Sequence, residues 1–193
     1  MAKVIVIEFV TLDGVVEDPD GAARSTIGGW AFRYGPQAVA GDKFDLGPLL
    51  DTGVLLLGRR TWEHFSHLWP GRTDEFSRKM NAIEKLVASH SRDQVDSWAH
   101  STVLHGDLVE NVARRKAQQD VIVVGSLSVA HLLMAHDLVD EYRLLVFPVV
   151  IGQGQRLFPE GAPSTDLALT GTETEGAAVL LTYERVKNAG VAG

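Results

Sequence analysis

The sequence predicts an α/β domain in three layers, built on a mixed, mostly parallel sheet of about eight strands with an antiparallel pair at its C-terminal end. Two observations carry this prediction. Short apolar runs rich in β-branched residues alternate with amphipathic segments as far as residue 150, the pattern of parallel strands joined by right-handed helical crossovers. The last two runs, 166–174 and 177–186, have only Glu175-Gly176 between them and must pair antiparallel.

Val4 to Val10 reads as a strand buried on both faces. Thr11-Leu12-Asp13-Gly14 turns the chain into a long loop, 17–35, which holds Trp30, Phe32 and Tyr34. Val39, Phe44 and Leu49 give 37–50 a helical spacing, with Pro48 as a flaw near its end. Val54 to Leu57 is a second strand that runs straight into Gly58-Arg59-Arg60-Thr61-Trp62, where a helix begins. Residues 74–81 form a short helix, Lys85 to Ser89 a third strand and Ser101 to Leu104 a fourth. An amphipathic helix over 107–119 leads to the strand Val121 to Val124, then Gly125-Ser126-Leu127-Ser128 and a helix to His136. Glu141 to Val150 is a long apolar strand, followed by an irregular loop from Gly152-Gln153-Gly154.

The 193 residues suit one domain over 1–187, with 188–193 a flexible tail. A net charge of -7 leaves no basic surplus for nucleic acid or an anionic membrane. The absence of cysteine excludes disulfides and thiol catalysis. Glu8 interrupts the N-terminal apolar run, which reads as a strand rather than a signal peptide, and no run approaches the roughly 18 apolar residues of a membrane helix. A cytoplasmic protein is expected.

Two strand-to-helix junctions carry the chemical signal. At the first, Gly58 permits close approach of a ligand, Thr61 can cap the helix, and Arg59 and Arg60 add charge suited to phosphate. A capped surface helix with two solvated arginines explains the same residues. At the second, Gly125, Ser126, Leu127, Ser128 and Val129 open another helix able to hold phosphate, and an ordinary N-cap is the alternative. A third segment, Ser89-His90-Ser91-Arg92, leaves a strand with hydroxyls and a cation fit for a ribose phosphate, or forms a plain polar turn. All three lie at the carboxyl ends of strands, where open α/β sheets bind ligands.

Taken in order, several motifs match a known family. They are Thr11-Leu12-Asp13-Gly14, Leu57 to Glu63, Asn81 with Lys85 to Ser89, Gly125-Ser126, Leu138 to Tyr142, Pro148 to Gly154, and Leu157-Phe158. The chain resembles the dihydrofolate reductase-like superfamily, within it the C-terminal reductase domain of bifunctional riboflavin-biosynthesis deaminase-reductases. That resemblance implies NADPH as hydride donor. Gly58 to Thr61 would meet its phosphates, Ser89 to Arg92 would lie near the adenosine 2′-phosphate, and Gly125 to Val129 would cradle the pyrophosphate. Relatives often have Thr and then an apolar residue where this chain has Ser91 and Arg92. The implied substrate is a small heterocycle such as 5-amino-6-(5-phosphoribosylamino)uracil. The rival readings are reduction of dihydrofolate or another pterin, and a nucleotide-binding module without turnover.

Asp13 is the expected catalytic acid, since the matching Asp-Gly of that branch lies at the substrate site, although Asp-Gly is also a common turn pair. Thr11 and Trp30 join it as expected substrate contacts, with Trp30, Phe32 and Tyr34 offering a wall for a planar ring. Aromatic residues in a loop also serve to pin that loop to a core. Asp42 and Asp45 fall on the segment that supplies the substrate carboxylate in true dihydrofolate reductases, and a solvated helix face explains both as well. His64, His67 and His90 lack the spacing of a metal site, so no metal is expected. Relatives are commonly dimers, and Tyr142 to Val150 either helps to build such an interface or lies in mid-sheet.

Overall fold

The computed structural model describes residues 1–91 and 94–186. Arg92 and the tail assigned to 188–193 lie outside the described residues. Six strands run parallel: β1 (Val4–Thr11), β2 (Val54–Gly58), β3 (Glu84–Ala88), β4 (Ser101–Val103), β5 (Val121–Val124) and β6 (Glu141–Phe147). The closing pair, β7 (Leu167–Glu175) and β8 (Ala178–Arg185), is antiparallel, and β8 also runs antiparallel to β6. The order across the sheet is β4-β3-β2-β5-β1-β6-β8-β7.

Side chains alternate along the central strands and fill both faces. Val4, Val6 and Val10 pack with Leu56, Val121 and Val123 beneath α4 (Leu108–Lys116) and α5 (Leu127–Ala135). Ile5 and Ile7 pack with Leu55, Leu57 and Ile122 against α1 (Leu49–Thr52), α2 (Arg59–Leu68) and α3 (Glu75–Ala82). The three layers follow from those two apolar faces. Among the described residues, no helix is long and apolar enough to cross a membrane.

The connections create a crevice. From β1 the chain crosses to β2 through α1 on one face, while from the neighbouring β5 it crosses to β6 through α5 on the other. The departing chains therefore diverge between the carboxyl ends of β5 and β1, the switch point at which open α/β sheets bind ligands.

The helix expected over 37–50 does not form. Only Pro36–Ala38, a 3-10 turn, and α1 are helical. The Asp42 carboxylate accepts the N–H groups of Leu46 at 2.8 Å and Gly47 at 2.7 Å, and Asp45 takes a φ of 49°. A side chain thus replaces helical hydrogen bonds, while Ala38, Leu46 and Leu50 still reach the core. Of the segment Tyr142 to Val150, the part to Phe147 lies in mid-sheet, paired on both edges by β1 and β8 and largely buried, as the mid-sheet reading expects, while Pro148 and Val150 are exposed.

Two polar groups brace the fold away from the crevice. Lys85, fully buried, donates to the carbonyls of Asn81 (2.9 Å), Ile83 (2.7 Å) and Ala99 (3.0 Å), with its Nζ 4.5 Å from the Trp98 ring centroid. Burial pushes this ammonium down to about 8, so it stays charged at neutral pH. At the amino ends of β1 and β6, Glu141 pairs with Lys3 and Arg143, each at 2.7 Å, and Asp140 accepts the Val4 N–H at 2.9 Å. The Leu138 to Tyr142 motif is thereby structural.

Candidate functional site

The exits of β3, β2 and β5 are consecutive across the sheet and open on its carboxyl edge. The β2 and β5 exits also interlock. A Cβ added to Gly58 would lie 2.0 Å from Ser126 Oγ and 2.5 Å from Ser126 Cβ. One added to Gly125 would lie 3.0 Å from Thr61 Cγ2. Gly125 has a φ of 56° and Ser126 one of 62°, a left-handed pair that aims the start of α5 across the edge.

Helix caps distinguish these junctions. α3 is capped by Asp74, which accepts the Ser77 N–H at 3.0 Å, and α4 by Asp107, which accepts the Glu110 N–H at 2.9 Å. α2 and α5 begin with neither a side-chain cap nor an acidic residue in the first turn. Their first N–H groups and positive dipole ends face the same edge, an arrangement suited to anions. Thr61 is not a cap: it lies inside the first turn against Gly125, and Gly58 holds the N-cap position.

The other expected cofactor residues divide by role. Arg59 stacks on Trp62 at 5.1 Å and its Nε donates to Glu63 at 2.8 Å, which ties it to its own helix. Arg60 is exposed beside it. Ser89 Oγ accepts the Ser91 N–H at 3.2 Å, and His90 and Ser91 are exposed at that tip. Ser128 is exposed, while Val129 is in the core and its N–H donates to the Ser126 carbonyl at 2.8 Å. Val129 therefore supports the cradle rather than facing it.

The expected substrate contacts are mostly structural. Trp30 is fully buried, set edge-on to Phe147 with ring centroids 5.5 Å apart, and its Nε1 donates to the Glu17 carbonyl at 2.9 Å. It pins the 17–35 loop to the core and offers no face to a ligand. Thr11 is buried and its hydroxyl, which accepts the Val15 N–H at 2.9 Å, donates to Asp13 Oδ1 at 2.6 Å. Asp13 also accepts the N–H of Gly152 at 2.7 Å and of Ile151 at 3.2 Å. The Thr11 hydroxyl, aided by those two N–H groups, holds its carboxyl down to about 2. Asp13 is thus an ionised anchor for the 148–157 loop and does not serve as a proton donor at neutral pH.

A pH test follows. A depressed folded-state value stabilises above the unfolded value of 3.8 and is lost as pH falls through about 2. Asp13→Asn is expected to lower Tm by the same amount at pH 5 and pH 7, with the gap closing towards pH 2. Calorimetry with a constant gap would refute the anchor.

Asp42 is engaged with Leu46 and Gly47, and the Asp45 carbonyl accepts from Arg143. Neither stands on a helix as a substrate carboxylate. His64 Nε2 lies 2.7 Å from Asp20 without hydrogen-bond alignment, and His67 Nδ1 lies 2.7 Å from the Glu63 carbonyl. A surface cleft of about 580 Å³ between Gly53, Lys79 and Glu84 lies at the amino ends of the strands, away from these junctions.

The sequence reading left one crevice residue unassigned. Glu8 lies on β1 between Val6 and Val10, on the α5 face, directly beside Leu144 of β6. Burial pushes its carboxyl up to about 8. A single carboxylate inside an apolar strand was the available signal.

An eight-stranded mixed sheet with an antiparallel C-terminal pair, carrying paired glycine junctions at its carboxyl edge, defines a dihydrofolate reductase-like α/β domain. The chain belongs to the RibD C-terminal domain family, whose model matches residues 2–181. It is therefore a reductase-like domain of the riboflavin-biosynthesis type. It is 29% identical to YwjB of Bacillus subtilis over 185 residues, covering 95% of this chain and 98% of that protein. YyaP of the same organism is 25% identical, with 92% of each chain covered. A putative riboflavin biosynthesis protein from Shewanella sp. PV-4 shares the fold at a TM-score of 0.73 and 18% identity, covering 96% of this chain and 99% of that one. The Thermotoga maritima diaminohydroxyphosphoribosylaminopyrimidine deaminase/5-amino-6-(5-phosphoribosylamino)uracil reductase aligns at a TM-score of 0.58 and 15% identity, covering 96% of this chain and 57% of that one.

Proposed function

We propose that this chain is an NADPH-dependent reductase of a small heterocycle, a pyrimidine ribosylamine of the 5-amino-6-(5-phosphoribosylamino)uracil type. The observation that carries the reading is the interlocked pair of uncapped helix starts at Gly58 and Gly125-Ser126, with Arg60 exposed beside them. The uncapped N–H groups of α2 and α5 bind two separated phosphates of one dinucleotide, and Arg60 adds a charged donor. Ser89, His90 and Ser91 bind the adenosine end. NADPH, when bound, supplies the hydride. The protein positions the nicotinamide in the crevice between β5 and β1 and excludes water there with the anchored 148–157 loop.

Thermal shift with NADPH and NADH tests this reading. NADPH raises Tm at concentrations above its Kd by mass action, and NADH raises it less. Arg60→Ala weakens NADPH binding about tenfold through one lost charged contact. An NADPH-oxidation screen with aminopyrimidine ribosides and pterins then separates a reductase from a module that only binds the dinucleotide. No Tm change with either coenzyme would remove the proposal.

A further inference from the structure

We infer that Glu8 is a ligand-recognition residue, whose carboxyl in the crevice between β5 and β1 binds the amide edge of a ligand, an N–H beside a C=O, through one donated and one accepted hydrogen bond. The inference deepens the proposed function and rests on its reading of that crevice.

Register places the group. Ile7 pairs with Val124, so Glu8 stands level with Gly125, where β5 ends and the cradle begins. Val6 and Val10 share its face along β1, and Leu144 lies beside it on β6. Glu8 keeps a minor part of its surface exposed. No hydrogen bond or ion pair reaches its carboxyl among the described residues.

Such a position is costly for a group with only a structural role. A leucine there would join the surrounding core without desolvating a polar group. Other carboxylates inside the fold are matched: Glu141 by Lys3 and Arg143, and Asp140 by the Val4 N–H and Lys116. The unmatched carboxyl of the central strand stands where the topology opens a ligand crevice.

The charge state selects the ligand chemistry. Desolvation holds the acid form, and the titratable groups on the elements packed over this face have other partners or sit elsewhere. His131 Nε2 of α5 is 3.0 Å from the Leu157 carbonyl, and Arg156 donates to the Asp13 carbonyl. Tyr142 of β6 packs against Phe158 at 5.6 Å, and β5 presents only Val121 and Val123. A neutral carboxyl offers an O–H donor and a C=O acceptor side by side, the complement of an amide edge. Both the nicotinamide carboxamide and a pyrimidinedione ring carry that edge.

Calorimetry of the whole chain with NADPH, and separately with 5,6-diaminouracil, from pH 6 to pH 9.5 tests the inference and identifies which source supplies the edge. The wild-type Kd for the probe held by Glu8 is expected to be flat to about pH 7.5, then to weaken towards tenfold per pH unit as the carboxyl ionises. Glu8→Gln, which keeps a neutral donor and acceptor, is expected to bind at pH 7 like the wild type and to lose the pH dependence. Glu8→Leu is expected to weaken binding about tenfold at pH 7. A Kd flat to pH 9.5 for both probes would overturn the inference while leaving the dinucleotide site in place. So would a carbon-13 NMR titration of the ligand-free Glu8 carboxyl with a midpoint below pH 6. If NADPH fails to bind at any pH, the cofactor reading falls and the 5,6-diaminouracil arm alone decides Glu8. Failure of both probes removes both readings.

Discussion

Gly58→Ala is expected to weaken NADPH binding about a hundredfold, the loss of two charge-assisted hydrogen bonds at about 1.5 kcal/mol each. The added methyl would stand 2.0 Å from Ser126 Oγ and 2.5 Å from Ser126 Cβ. Rotating the serine moves only the hydroxyl, so its Cβ still collides and the starts of α2 and α5 must part. Two helix ends that bind one ligand together then no longer share a geometry. Ser126→Gly in the same background removes both colliding atoms and leaves the Ser126 Cα at 3.7 Å, an ordinary contact. It also relieves a φ of 62° that glycine adopts freely. The double variant is therefore expected to recover most of the affinity. Calorimetry showing additive losses, or none in Gly58→Ala, would refute the interlock.

Lys85→Met is expected to lower stability by roughly 3 kcal/mol, or about 10 °C in Tm for a chain of this size, with NADPH affinity unchanged. The ammonium satisfies three carbonyls, those of Asn81, Ile83 and Ala99. Asn81 also accepts from Trp98 Nε1 at 2.7 Å, so one cation closes the end of α3 onto the segment before β4. Methionine fills the volume but strands those acceptors and gives up the contact with the Trp98 face. Lys85 is the second residue of β3, near the amino edge of the sheet and far from the cradle, which separates a fold effect from a site effect. A Tm within 2 °C of wild type would mean that water serves the carbonyls equally well.

The sheet was legible because buried strands need apolar runs, and β2 and β5 have them unbroken while β1 is broken only at Glu8. The segment 37–50 misled because the spacing of Val39, Phe44 and Leu49 is independent of backbone form. Asp42 set that form through contacts five residues away at most. The junctions at Gly58 and Gly125 were visible as glycines after strands, yet their mutual contact depends on β2 and β5 being neighbours, which no local pattern states. Trp30 and Thr11 were misplaced for a related reason: a side chain on a loop shows its chemistry in the sequence but not the direction in which it points. Asp13 was found and its role was not, since the Thr11, Ile151 and Gly152 donors gather from two distant stretches.

The interlock also constrains descent. Positions 58 and 126 share one small volume, so a lineage can enlarge one only after shrinking the other. Across relatives the two sites should drift as a single character, with a bulkier residue at the first accompanied by glycine at the second. Sequences that break this rule would mark branches in which the two turns have separated and the cradle has been given up.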